Sequence, residues 1–419
     1  MRLKFLDAVM LSVLLCLFRF PIAAMVDWLH PRFFIALPMV ISLLYCVLSK
    51  KGVHSLGSIT VFGKFLVGIY LLSIISSSIF FFIDFQAAKE GAAPFLLSTV
   101  LAAGFYFFFN FQLKSKNDWI NWFDRISSGV IIGGGIIFII SSLVLRTGGG
   151  TNANDYYIAP ELVSFFLYPS LPSHLSQRTL GFLISLESSG VAILSCTLFK
   201  ISKFALLGRG KNVPSVLMIL FGIVSTLLST SLTLSLGLFS GIVLVFFLMN
   251  IKTQVKVLVG TAFGAFVSLV VLVNYFLQGE YSIASRALIY FVNPKLLGEF
   301  WIFTGPKNWS ELLFNLEFFK GVPSQMILGV FNVVFVRLEG FGIFPTFIWY
   351  ALLILPFLLL IRLKSFDEHQ KVALLAFYGF AFGALHYSGA EVWGNNYLVF
   401  SIVSALSHKY FFKTKRAQD

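Results

Sequence analysis

Charge is what this chain has least of. Only 12% of its 419 residues are Asp, Glu, Lys or Arg, against roughly 25% in a soluble domain. Too few polar side chains are present to cover a water-facing surface, so most of that surface has to meet lipid. Cysteine is scarce as well. Cys16, Cys46 and Cys196 all fall in apolar stretches without metal-ligand spacing, and they read as small hydrophobes rather than as disulfide partners. There is no Walker A motif, no dinucleotide fingerprint, no HExxH and no DxD-type acidic pair. The sequence therefore offers no cofactor or metal site, and an ATP-driven pump is disfavoured. An internal repeat, a low-complexity linker and a soluble domain are missing too, which leaves one integral membrane domain over residues 1–419.

What is present is apolar. Hydrophobic residues make up 58% of the chain, with 50 Phe among them. A spanning helix needs about 20 largely apolar residues. On that measure the chain holds about twelve spans, at 5–24, 33–49, 60–83, 95–111, 127–145, 179–199, 216–230, 232–249, 257–277, 343–361, 372–388 and 397–412. The stretch 216–249 reads as a tight hairpin, broken at Ser229, Thr230 and Ser231. Arg2 and Lys4 precede the first run, which lacks a small-x-small cleavage site and so reads as a span rather than a cleaved signal peptide.

The net charge of +13 does not signal nucleic acid, because the basic residues sit in short clusters between apolar runs. One set of alternate loops, with the two ends, holds 20 of the 31 Lys and Arg. This set includes Lys114, Lys116 and Arg125, and also Lys200, Lys203, Arg209 and Lys211. The opposite loops hold nine. The bias places both termini in the cytoplasm. Two loops on the other side are long, at 146–178 and 278–342. The second carries amphipathic stretches at 287–291 and 311–319, which suit short helices lying at the membrane surface. Long loops of this kind tend to carry function, so the site belongs on the outer face.

Several residues there have the right chemistry. Arg178, where the first long loop enters a span, can hold a phosphate bidentately, or it can snorkel to outer headgroups. Arg286 presents the same pair of readings ahead of an amphipathic stretch. Glu187 lies nine residues past Arg178 inside the apolar run. A carboxylate there costs roughly 3 kcal/mol or more, so it must face the bundle interior with a partner. A regular helix would set it about 13 Å deeper than Arg178 and about half a turn round, so the two would not share one small group. The Ser188-Ser189-Gly190 run behind it would let another helix come close. Arg337 and Glu339 can pair with each other or meet substrate. His386, Glu391, Trp393 and Asn395 share the last outer turn. A histidine can act as a base near neutral pH, and a Glu beside an aromatic ring suits a sugar, but an ordinary interfacial turn with a belt Trp has the same composition.

At these residues the chain resembles the O-antigen polymerases of the Wzy type and, more distantly, the O-antigen ligase superfamily. Three patches carry the resemblance. The first runs from Arg178-Thr179-Leu180-Gly181-Phe182 to Glu187-Ser188-Ser189-Gly190, with Ser188 where the family usually has Pro. The second is Leu227-Leu228-Ser229-Thr230-Ser231-Leu232-Thr233. The third is the long loop that opens at Ser285-Arg286 and closes at Glu339-Gly340-Phe341-Gly342. The resemblance implies a GT-C-like, all-α polytopic membrane protein in the bacterial inner membrane, with both long loops periplasmic. It implies a metal-independent, inverting-type glycosyltransferase that moves a growing glycan from undecaprenyl pyrophosphate onto a new lipid-linked repeat unit. A Wzz-type chain-length regulator is the implied partner. Arg178 and Arg286 would then face the departing pyrophosphate, with His386, Glu187 or Glu391 as base and Arg337, Glu339, Glu391, Asn395 and Trp393 near the sugars. One departure is that the loop 278–342 holds no His, whereas ligases of the superfamily carry one.

Two other classes compete. A lipid-linked-oligosaccharide flippase would also have about twelve spans, but with paired repeats and short loops on both sides. A membrane O-acyltransferase would want a catalytic His near an early span, for which only His30 and His54 are available.

Overall fold

The computed structural model describes residues 2–18, 32–48, 116–147, 186–208, 213–228, 232–249, 251–277, 367–386 and 395–407, with isolated positions near 75, 100–109 and 347–358. Everything described is helix or a short connection, and no strand occurs among the described residues. In chain order the helices are α1 Arg2–Leu17, α2 Arg32–Leu48, α3 Lys116–Thr147, α4 Leu186–Leu207, α5 Val213–Leu228, α6 Leu232–Leu248, α7 Thr253–Leu277, α8 Glu368–His386 and α9 Asn395–Ser407. By length and composition, α3 over Asn117–Ile139 and α4 over Ser189–Leu207 suffice to cross a membrane.

Helix α4 is the hub, packed by α3, α5, α6, α8 and α9. Glycine makes this possible. Gly379 of α8 lies so close that an added Cβ would stand 2.7 Å from Ser195 Cα, and at Gly383 it would stand 2.2 Å from Val191 Cγ2. On α6, a Cβ at Gly237 would meet Leu194 at 2.9 Å and one at Gly241 would meet Leu198 at 2.5 Å. Both pairs have the small-xxx-small spacing that lets helices approach backbone to backbone, and the two flank α4. Gly190 of α4 receives Leu234 of α6 in return, which is the close approach the Ser188-Ser189-Gly190 run suggests. Two hydroxyls bond across helix seams, one between α4 and α8 and one between α8 and α6. Ser195 Oγ donates to Ala376 O at 2.6 Å, and Tyr378 OH donates to Ser240 Oγ at 2.7 Å.

The α3–α4 seam is aromatic. Phe199 meets Phe123 with ring centroids 4.8 Å apart and Trp119 at 5.7 Å, both edge-on, the geometry that the ring quadrupoles favour. Trp119 Nε1 donates to Ser401 O at 2.9 Å, tying α9 to α3. Tyr397 OH donates to Ile35 O, tying α9 to α2.

Helix ends follow local chemistry. Helix α8 opens on a capping box, in which Gln370 Oε1 accepts from Asp367 N at 2.9 Å. Helix α4 stops at Gly208, whose φ of 59° is the left-handed conformation that suits glycine. The last carbonyls of α6 are met by lysines, with Lys256 Nζ donating to Phe247 O at 2.8 Å and Lys371 Nζ to Leu248 O at 3.4 Å.

Two boundaries differ from the hydropathy reading. The span at 127–145 is the later part of a helix that begins at Lys116, and the span at 179–199 continues as helix through Leu207. Arg125, Lys200 and Lys203 therefore stand in helices and not in loops. Hydropathy windows stop at charge. Here the charges are paired across helices, and Trp119, Ile120, Phe123 and Ile126 keep a helical apolar face running past them. The hairpin at 216–249 matches α5 and α6, which pack on each other; its connection, 229–231, lies outside the described residues.

Candidate functional site

Helix α8 runs antiparallel to α4. Ala376 is paired with Ser195, Gly379 lies on Ser195, and Gly383 lies on Val191. One helical turn further along each helix stand His386, three residues after Gly383, and Glu187, four residues before Val191. The α4–α8 register thus brings Glu187 and His386 to one end of the pair. This is the end at which α4 begins, marked by Gly190. Asn395 is the first residue of α9 and is buried to 1% exposure, with Asn396 beside it at 2%. Arg178, Arg286, Arg337, Glu339, Glu391 and Trp393 lie outside the described residues, as do the loops 146–178 and 278–342 apart from single helical boundary positions. The stretch from Arg178 to Ser185 is also outside them, so the 13 Å spacing between Arg178 and Glu187 stays an expectation of regular helix.

The opposite end of α4 carries a charged cluster that hydropathy reading sorts wrongly. Lys200 Nζ lies 2.7 Å and Lys203 Nζ 2.9 Å from Asp124 Oδ1 on α3. Lys200 Nζ also donates to Asp124 O at 2.9 Å and to Ser128 Oγ at 2.7 Å. Its side chain is 9% exposed. A lysine read as a topology marker in a loop is instead an internal tie between two helices. The signal that could have found it is Asp124, an acidic residue next to Arg125 in a stretch that reads as a basic loop. Further out, Arg125 Nη1 meets Asp7 Oδ1 at 2.6 Å, joining α3 to α1.

Cys16 and Cys196 are buried. No group of three or more metal-capable side chains gathers among the described residues. No family model matches the chain, and no curated protein or solved structure matches it.

Proposed function

We propose that the chain is a membrane-embedded polysaccharide polymerase. In this reading about twelve spans form a GT-C-like bundle in the bacterial inner membrane, with both termini cytoplasmic and the site periplasmic. The growing glycan leaves undecaprenyl pyrophosphate and is taken up by the sugar hydroxyl of a new lipid-linked repeat unit. The observation that carries the reading is the α4–α8 register, which sets Glu187 and His386 at one end, opposite the Asp124–Lys200–Lys203 cluster. An acid–base pair of residues at the end from which the 146–178 loop enters α4 suits a glycosyl transfer that needs a weak base and no metal.

The apolar exposure supports the same setting. On α5, Val213, Leu217, Leu220, Val224 and Leu227 form an exposed stripe, repeating every three or four residues as a lipid-facing helix surface does. The departing diphosphate calls for fixed positive charge, the role given to Arg178 and Arg286. The fixed guanidinium stays charged throughout the physiological range.

Deletion of the gene followed by analysis of surface polysaccharide tests the class. Loss of a polymerase leaves lipid A core capped by a single repeat unit, whereas loss of a flippase leaves none. Arg178→Ala and Arg286→Ala, with accumulation of folded protein checked, test the site. Each is expected to reduce polymer by roughly 100-fold or more, the usual effect of removing an electrostatic stabiliser. Wild-type ladders from both variants remove the assignment.

A further inference from the structure

The groups between α3 and α4 take no part in the transfer proposed above, and their charge does not balance. Two ammonium groups converge on one carboxylate oxygen, Asp124 Oδ1. At formal charge the trio carries one net positive unit. Lys200 has three acceptors for its three N–H groups: Asp124 Oδ1, Asp124 O and Ser128 Oγ. Lys203 differs. Its side chain is 16% exposed, and among the described residues its only polar contact is Asp124 Oδ1. Two N–H donors on a largely covered ammonium are left over, and a covered charge is costly until something of opposite sign meets it.

The position of Lys203 says where that partner comes from. It stands four residues before α4 ends at Leu207, so it sits at the lip of the seam and Lys200 at its floor. Arg209 and Lys211 follow directly in sequence. Helix α5, packed on both α3 and α4, starts at this same end, because only residues 208–212 separate Val213 from the end of α4 at Leu207. Its exposed stripe of Val213, Leu217, Leu220, Val224 and Leu227 runs away from the lip. A cation and an apolar stripe that begin at one end of these helices fit a ligand that has a phosphate at one end and hydrocarbon behind it.

We propose that Lys203, seated on Asp124 and Lys200, binds the phosphate of an acidic phospholipid, whose acyl chains lie along the exposed face of α5. The apolar stripe is what favours a lipid over free phosphate. This inference is independent of the polymerase reading.

The test uses the full chain in nanodiscs of phosphatidylethanolamine with a minor share of phosphatidylglycerol, with native mass spectrometry counting retained phosphatidylglycerol. Wild type is expected to retain it, and Lys203→Gln to lower retention roughly five- to tenfold. Lys203→Arg should retain it, as should Lys256→Gln, whose lysine caps α6. Undiminished retention by Lys203→Gln overturns the proposal, and so does an equal loss in Lys256→Gln. If Lys203→Gln does not fold, the unfolding temperature of wild type is compared in discs with and without phosphatidylglycerol. Higher stability with the acidic lipid in wild type and Lys203→Arg supports the site, and indifference to it overturns it. Inorganic phosphate added to the wild-type discs separates the two sources. Displacement of the lipid by phosphate overturns the lipid assignment, and resistance to displacement supports it.

Discussion

The two ends of α4 are held by different physics. At its start the contacts are steric: Gly190 admits Leu234, and Gly383 rests on Val191. At its finish they are ionic, through Lys200, Lys203 and Asp124. Steric contact fixes position without using polar groups. Ionic contact draws its polar groups into the fold, all three donors of Lys200 and one of Lys203. One helix can thus keep its structural charge at one end and its candidate chemistry at the other.

The comparison breaks most sharply at Asp124. Asp124→Ala removes the one carboxylate shared by two covered lysines, and the expected loss of stability is about 3–5 kcal/mol. Thermal unfolding of the purified protein measures it. Asp124→Leu with Lys200→Met and Lys203→Met, which replaces all three groups by apolar ones, should recover most of that loss. A single variant as stable as wild type would mean that the cluster does not hold α3 to α4. The steric end answers to glycine. Gly379→Ala drives a methyl group into the backbone of Ser195 and should cost about 1–3 kcal/mol, read in the same unfolding assay. Gly264→Ala is its counterpart on α7, where an added Cβ meets nothing within 4 Å. That change should be neutral or stabilise by up to about 1 kcal/mol. Equal effects from the two alanines would remove the steric account. Smallest is Tyr378→Phe, which deletes the hydrogen bond to Ser240 between α8 and α6. About 0.6 kcal/mol is the usual worth of such a bond between membrane helices, resolvable by a double-mutant cycle with Ser240→Ala.

Among the described residues, sequence reading recovered helices better than it placed their ends and partners. The α5–α6 hairpin was legible because the runs on either side of its Ser-Thr-Ser break hold no charged residue. The start of α3 was not, since Asp118, Asp124 and Arg125 depress hydropathy, and the pairing of the last two with residues of α4 and α1 is invisible along the chain. The two glycine pairs on α6 and α8 were written plainly at small-xxx-small spacing, yet which helix they would receive is a tertiary fact. Glu187 and His386 could each be singled out, the first as a carboxylate in an apolar run and the second as a histidine at a turn. Their arrival at one end depends on a register between helices nearly two hundred residues apart in sequence, which no local pattern encodes.

Backbone resting on backbone at Gly379 fixes depth as well as direction. Moving α8 by a single residue along its helical screw would present Tyr378 or Phe380 to Ser195, and a ring there would push the two axes apart. The helix therefore has one seat along its length. Its tip, His386, lies about 10 Å beyond that seat, so its height in the bundle is set from a distance, by the absence of a side chain.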